Sequence, residues 1–323
     1  MREVALLSLL AAPRAFAADV DTWVGGHATT GAQIVQDAGA STILSQVELD
    51  ARASTGSLFF RLDLDFHVDP WSFRPDGNTG FILAPHYPLP PEYALVQVGQ
   101  KFHLRAGVTN PDFGIQEWDE RLNYLATTSE GWKVANGQNL GIEPGISFDN
   151  GVNIFAFGGY DLAWLTPGGG AGIQTEQDAF GTWSGFVILP AMRYGLLLTA
   201  NEVYPTDWLW FSGEIDAGFI DGTAFGGGQL IAQVFPEGAV GGALRLDRQW
   251  MPEAAGEALG DVNAFAVSGG LKAAPVSGLH LALEAKESWP KLGDSPYFTG
   301  TVLVDFQLSE EPSDDFAVRD PAE

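Results

Sequence analysis

Ionisable side chains return at every second position in several short stretches of this chain. Glu48, Asp50 and Arg52 alternate with Val47, Leu49 and Ala51, and Arg61, Asp63 and Asp65 alternate with Phe60, Leu62, Leu64 and Phe66. Lys101, His103 and Arg105 repeat the spacing, as do the pairs Glu214 and Asp216, Arg245 and Asp247, and Glu284 and Lys286. Asp63, Asp65 and Asp69 could in principle ligate calcium, but no EF-hand spacing surrounds them. His103 between two cations could serve acid–base or anion chemistry, although a lone histidine in an alternating row more simply faces water. Ser184 and Ser268 lack the Gly-x-Ser-x-Gly setting of a hydrolase nucleophile. The run Gly168-Gly169-Gly170-Ala171-Gly172 is not followed by the Gly-Lys-Ser/Thr of a phosphate loop and reads as a flexible outer loop. The sequence therefore points to no enzyme, no cofactor and no metal ligand set. The chemistry left to these rows is electrostatic: opposed charges lining a wet surface.

Such rows need strands to hold them. In a strand successive side chains point to opposite faces, so alternation gives one apolar face and one charged face. The stretch from Ile43 to His67 reads as two such strands joined by a turn at Ser54-Thr55-Gly56-Ser57. Each is about as long as a tilted strand needs to be to cross a bilayer. No run of about 18 apolar residues exists, which removes helical membrane spans from consideration. A membrane protein of this sequence must then be a closed barrel, because an open sheet edge cannot be satisfied in lipid. The 323 residues allow one large all-β domain, and the absence of cysteine excludes disulfides and thiolate metal sites. A net charge of −25 argues against nucleic acid as a partner.

The expected organisation is a signal peptide over residues 1–17, a barrel over 18–308 and an acidic periplasmic tail over 309–323. Val4 to Ala12 supply a short apolar core, and Ala15-Phe16-Ala17 supplies a small-x-small cleavage site. Short turns are expected at residues 54–56, 99–100, 150–151, 236–238 and 273–277. Longer loops are expected at 68–91, 109–139, 161–182, 252–261 and 287–297. If residues 183–200 form one long strand bulged at Pro190, the fold class is an all-β, antiparallel, up-and-down transmembrane barrel of about 14 strands, within a range of about 12 to 16. Trp71, Trp164, Trp183, Trp208, Trp250 and Trp289 fall at or just past strand ends, where a bilayer interface would want them. A soluble β-sandwich with core tryptophans is the competing architecture.

The stretch from Tyr93 to Gly114 runs strand, tight turn, second strand ending Leu104-Arg105-Ala106-Gly107, then Pro111-Asp112-Phe113-Gly114. It resembles the OmpL-like β-barrel porins of Gram-negative outer membranes, and the likeness of pattern extends from about Ser41 to Leu308. Val108-Thr109 stands where a Lys-Phe pair is usual, and an acidic tail follows Phe306 and Leu308 where such barrels close on an aromatic strand. The resemblance implies a passive pore in the bacterial outer membrane, with no catalytic residues to carry over.

The function expected is passive diffusion of small hydrophilic solutes through a water-filled barrel. Inward Arg52, Arg61, Lys101, His103, Arg105, Arg245 and Lys286 would oppose Glu48, Asp50, Asp63, Asp65, Glu214, Asp216, Asp247 and Glu284, setting up a transverse field. The loop from Thr109 to Asn139 would fold inward and narrow the lumen. Its Asp112, Glu117, Asp119 and Glu120 outweigh Arg121 and Lys133, giving a mild cation preference. Outer-membrane lipid, small solutes and a second copy of the chain are the candidate partners. The alternative function is a non-conducting barrel that serves as a structural anchor or adhesin.

Overall fold

The computed structural model describes residues 20–36, 42–67, 72–73, 79–80, 93–109, 125, 139–162, 165–177, 179–236, 238–250, 264–289 and 295–307. The strands in chain order are β1 (Asp21–Val35), β2 (Thr42–Thr55), β3 (Leu58–His67), β4 (Ser72–Phe73), β5 (Thr79–Gly80), β6 (Tyr93–Val98) and β7 (Phe102–Thr109). There follow β8 (Asn139–Ser147), β9 (Val152–Asp161), β10 (Thr166–Gln177), β11 (Phe180–Leu189), β12 (Tyr194–Thr206) and β13 (Leu209–Ile220). The last are β14 (Thr223–Val234), β15 (Val240–Trp250), β16 (Ala264–Val276), β17 (Leu279–Trp289) and β18 (Tyr297–Gln307). β4 and β5 pair only with each other, and the remaining 16 strands form one closed antiparallel barrel. Each barrel strand pairs with its neighbour in the chain, and β1 pairs with β18 from His27↔Gln307 to Val35↔Thr299. Closure leaves no sheet edge, which is what a membrane-crossing sheet requires.

The strand count lies at the upper end of the expected range, for two local reasons. Residues 166–177, expected within an outer loop, form β10, so Gly168 to Gly172 are strand residues paired with both β9 and β11. Residues 183–200 are not one bulged strand. β11 stops at Leu189, Pro190–Met192 make a 3-10 turn, Arg193 takes the left-handed conformation at φ 50°, and β12 starts at Tyr194. Proline has no amide hydrogen for the ladder, and here it ends a strand and reverses the chain.

The two rims differ. Every connection at the rim holding the start of β1 and the end of β18 is short, such as residues 56–57, 178–179, 207–208 and 277–278. The opposite rim carries the long connections 68–92, 110–138 and 251–263, beside tight turns at 190–193 and 221–222.

Alternation sorts the side chains between the faces. Outward positions are large, apolar and exposed, as with Leu49, Phe60, Leu104, Ile142, Ile215 and Leu246. No helix among the described residues is long and apolar enough to cross a membrane, so the strands alone present this apolar belt. The inward face is charged on most strands, but not throughout. Phe155, Phe157, Leu189, Tyr194, Leu196, Leu198 and Phe225 form an apolar cluster on the inner wall, where the sequence led to an expectation of water and charge.

Candidate pore interior

The inner wall is built from register. On β1, β2 and β3, Trp23 stands opposite Arg52, His27 opposite Glu48, Asp50 opposite Asp63, and Arg52 opposite Arg61. Glu48, Asp50, Arg52 and Asp63 are buried, and Arg61 forms a hydrogen-bonded ion pair with Asp63. The Arg52 guanidinium lies 5.5 Å from the Trp23 ring centre, a cation–π distance. Asp65 is opposite Glu48 in the ladder, and its side chain lies outside the described residues. His27 was not legible as an inward residue, because Gly25 and Gly26 interrupt the apolar–polar alternation of its strand.

On β6, β7 and β8 the inward row is Gln97, Arg105 and Glu143. Arg105 donates from Nε to Gln97 Oε1 at 2.9 Å and from Nη1 to Glu143 Oε1 at 3.0 Å. Gln97 and Glu143 escaped the sequence reading: the first is neutral, and the second sits between glycines beside Pro144. His103 is buried, with its Nδ1 3.3 Å from the carbonyl of Gln100. Lys101 lies at the short-turn rim, just before β7, where its Nζ is 3.2 Å from Asp149 and its side chain is more than half exposed.

The far wall holds a denser network. Arg245 on β15 has no exposed surface; its Nε donates to Asp247 at 3.0 Å, and its Nη2 to Ser268 at 3.1 Å and to Glu284 at 3.4 Å. With no exposed surface, the guanidinium depends on each of these charge-assisted bonds, since its burial is costly unless its donors are used. Lys286 on β17 shares a register pair with Ser268, and both are buried. Glu214 and Asp216 on β13 are buried opposite Ala200 and Leu198, so the charged row ends against the apolar cluster.

The segment between β7 and β8 contributes one described residue, Leu125. It is 2% exposed and packs with Ile231 on β14 and Ala243 on β15. β7 and β15 are half a circuit apart in the barrel order. Leu125 therefore sits on the wall opposite β7. Gly270 on β16 makes room for it: a Cβ there would stand 2.6 Å from Leu125 Cδ2. Asp112, Glu117, Asp119, Glu120 and Arg121 of the same segment lie outside the described residues.

No protein-family profile matches the sequence, and no curated protein matches it. Solved structures do match in fold. The outer membrane channel DcaP of Acinetobacter baumannii superposes with a TM-score of 0.62 at 9% identity, covering 91% of this chain and 99% of that one. An anion-selective porin from Comamonas acidovorans gives 0.62 at 12% identity, covering 90% and 100%. A triple mutant of the Rhodopseudomonas blastica porin gives 0.57 at 14% identity, covering 89% and 100%. At these identities the shared property is the barrel architecture over nearly the whole chain.

Proposed function

We infer that this chain is a passive diffusion porin of the bacterial outer membrane, a member of the OmpL-like group. The observation that carries the reading is Leu125, lodged on the wall opposite the strands from which its segment departs. A barrel of 16 strands is wide enough to keep an aqueous channel, whereas about 8 strands fill their own interior. An inward segment then narrows that channel and sets the size of solute that passes.

Pore lining is assigned to Glu48, Asp50, Arg52, Arg61, Asp63, His103, Arg105, Glu214, Asp216, Arg245, Asp247, Glu284 and Lys286, with Lys101 at one mouth. Their opposed charges orient dipolar solutes along a transverse field and penalise wholly apolar ones. The chain carries out no covalent chemistry in this reading. Export uses residues 1–17 as a signal peptide, and residues 309–323 form the acidic periplasmic tail.

Liposome swelling tests the proposal. Liposomes containing the folded barrel should swell in isotonic solutions of small sugars, at rates that fall with solute size. Folded protein that leaves liposomes osmotically tight would replace the porin with a non-conducting anchor or adhesin.

A further inference from the structure

His27, Glu48 and Asp50 are the one group of three potential metal ligands among the described residues. Each offers a donor atom, and the three atoms lie within 4.8 Å of one another. The spacing comes from the ladder: His27 and Glu48 are directly paired across β1 and β2, and Asp50 is the next residue on the same face of β2. Gly25 stands opposite Asp50, so the β1 position paired with that carboxylate carries no side chain. His27 Nδ1 is 3.5 Å from Glu48 Oε2, longer than a good hydrogen bond.

Asp50 supplies the second observation. It is only 3% exposed, yet its buried Oδ1 makes no hydrogen bond. Arg52, one inward step along the strand, has its guanidinium over the Trp23 ring. A buried carboxylate oxygen without a partner is costly, and a cation shared with Glu48 and His27 would satisfy it.

We propose that His27, Glu48 and Asp50 form a binding site for one divalent transition-metal ion on the barrel wall. Two carboxylates and a neutral imidazole carry the charge to balance a divalent cation. Imidazole selects zinc, nickel or copper over calcium and magnesium, which prefer oxygen alone. Three protein ligands leave coordination positions for water, so the ion binds without losing its whole hydration shell. The site stands on its own geometry and holds whether or not the barrel conducts.

The test is equilibrium dialysis of folded barrel against zinc ion alone, with folding verified by heat-modifiable migration. One zinc per chain is expected. His27→Gln, Glu48→Gln and Asp50→Asn should each weaken binding on the order of 100-fold, because even outer-shell partners are worth about 10- to 100-fold. The carboxylate-to-amide changes keep side-chain shape, so they report on ligation even if the histidine variant folds poorly. His103→Gln should bind as the parent does, and calcium in excess should not displace the zinc. Folded parent protein that takes up no zinc would overturn the proposal. So would zinc binding that survives the Glu48 and Asp50 changes, or that is lost equally in His103→Gln.

Discussion

Leu125 packs against Ile231 on the inner face of β14, although the segment that carries it springs from β7, on the other side of the barrel. An apolar anchor of this kind holds Leu125 to the far wall without charge. The chain has no cysteine, so a paired Leu125→Cys and Ile231→Cys variant carries the only two thiols. A short bifunctional thiol reagent should link them within one chain and shift its migration in denaturing gels. Either single cysteine should give no such shift, and an unlinked double variant would remove the crossing.

Freeing the anchor should widen the passage. Leu125→Asp places a carboxylate against Ile231 and Ala243, where burial of a charge without a partner costs more than about 3 kcal/mol and should release the contact. Swelling rates for the larger sugars should rise relative to those for the smallest. Unchanged size dependence would mean that this contact does not set the width.

Buried and exposed ion pairs predict effects of different size. Arg245→Met leaves Asp247 and Glu284 buried beside an apolar side chain, and should destabilise the barrel by about 3 kcal/mol in denaturant unfolding. Asp149→Asn removes only the exposed partner of Lys101 and should change stability by less than about 1 kcal/mol.

Gly107 adopts φ +134°, and a Cβ there would stand 2.1 Å from the carbonyl oxygen of Ala94 on the paired strand. The obstacle is backbone, which cannot swing aside. Gly107→Ala should weaken the β6–β7 pairing by about 1–3 kcal/mol, read as a lower unfolding midpoint or loss of the heat-modifiable form. An unchanged midpoint would contradict the close approach of the two strands.

Neutralising the crossing segment should alter selectivity rather than stability. Changing Asp112, Glu117, Asp119 and Glu120 together to their amides should move the reversal potential in a salt gradient toward anion preference. A reversal potential that stays where the parent puts it would assign selectivity to the barrel wall alone.

The strands with clean alternation were legible from the sequence. In β2, β3, β15 and β17 one face is apolar and the other charged, so period and facing follow together, and Arg245, Asp247, Glu284 and Lys286 are buried while Leu244, Leu246, Leu281 and Leu283 are exposed. β11 and β12 were not, because Phe186, Ile188 and Leu197 are apolar outward while Leu189, Leu196 and Leu198 are apolar inward. With both faces apolar, periodicity cannot assign the wall or show where one strand ends and the next begins. β10 was hidden for another reason: its glycines read as loop until paired on both sides. Leu125 carried no local signal at all, since its place depends on a contact across the barrel.

Single-channel recording of the refolded, heat-modifiable protein in a planar bilayer tests the central claim most directly. The account predicts stable unitary steps, with a reversal potential in a salt gradient that favours cations mildly. Silence from protein shown to be folded would contradict it and leave a barrel with a closed interior.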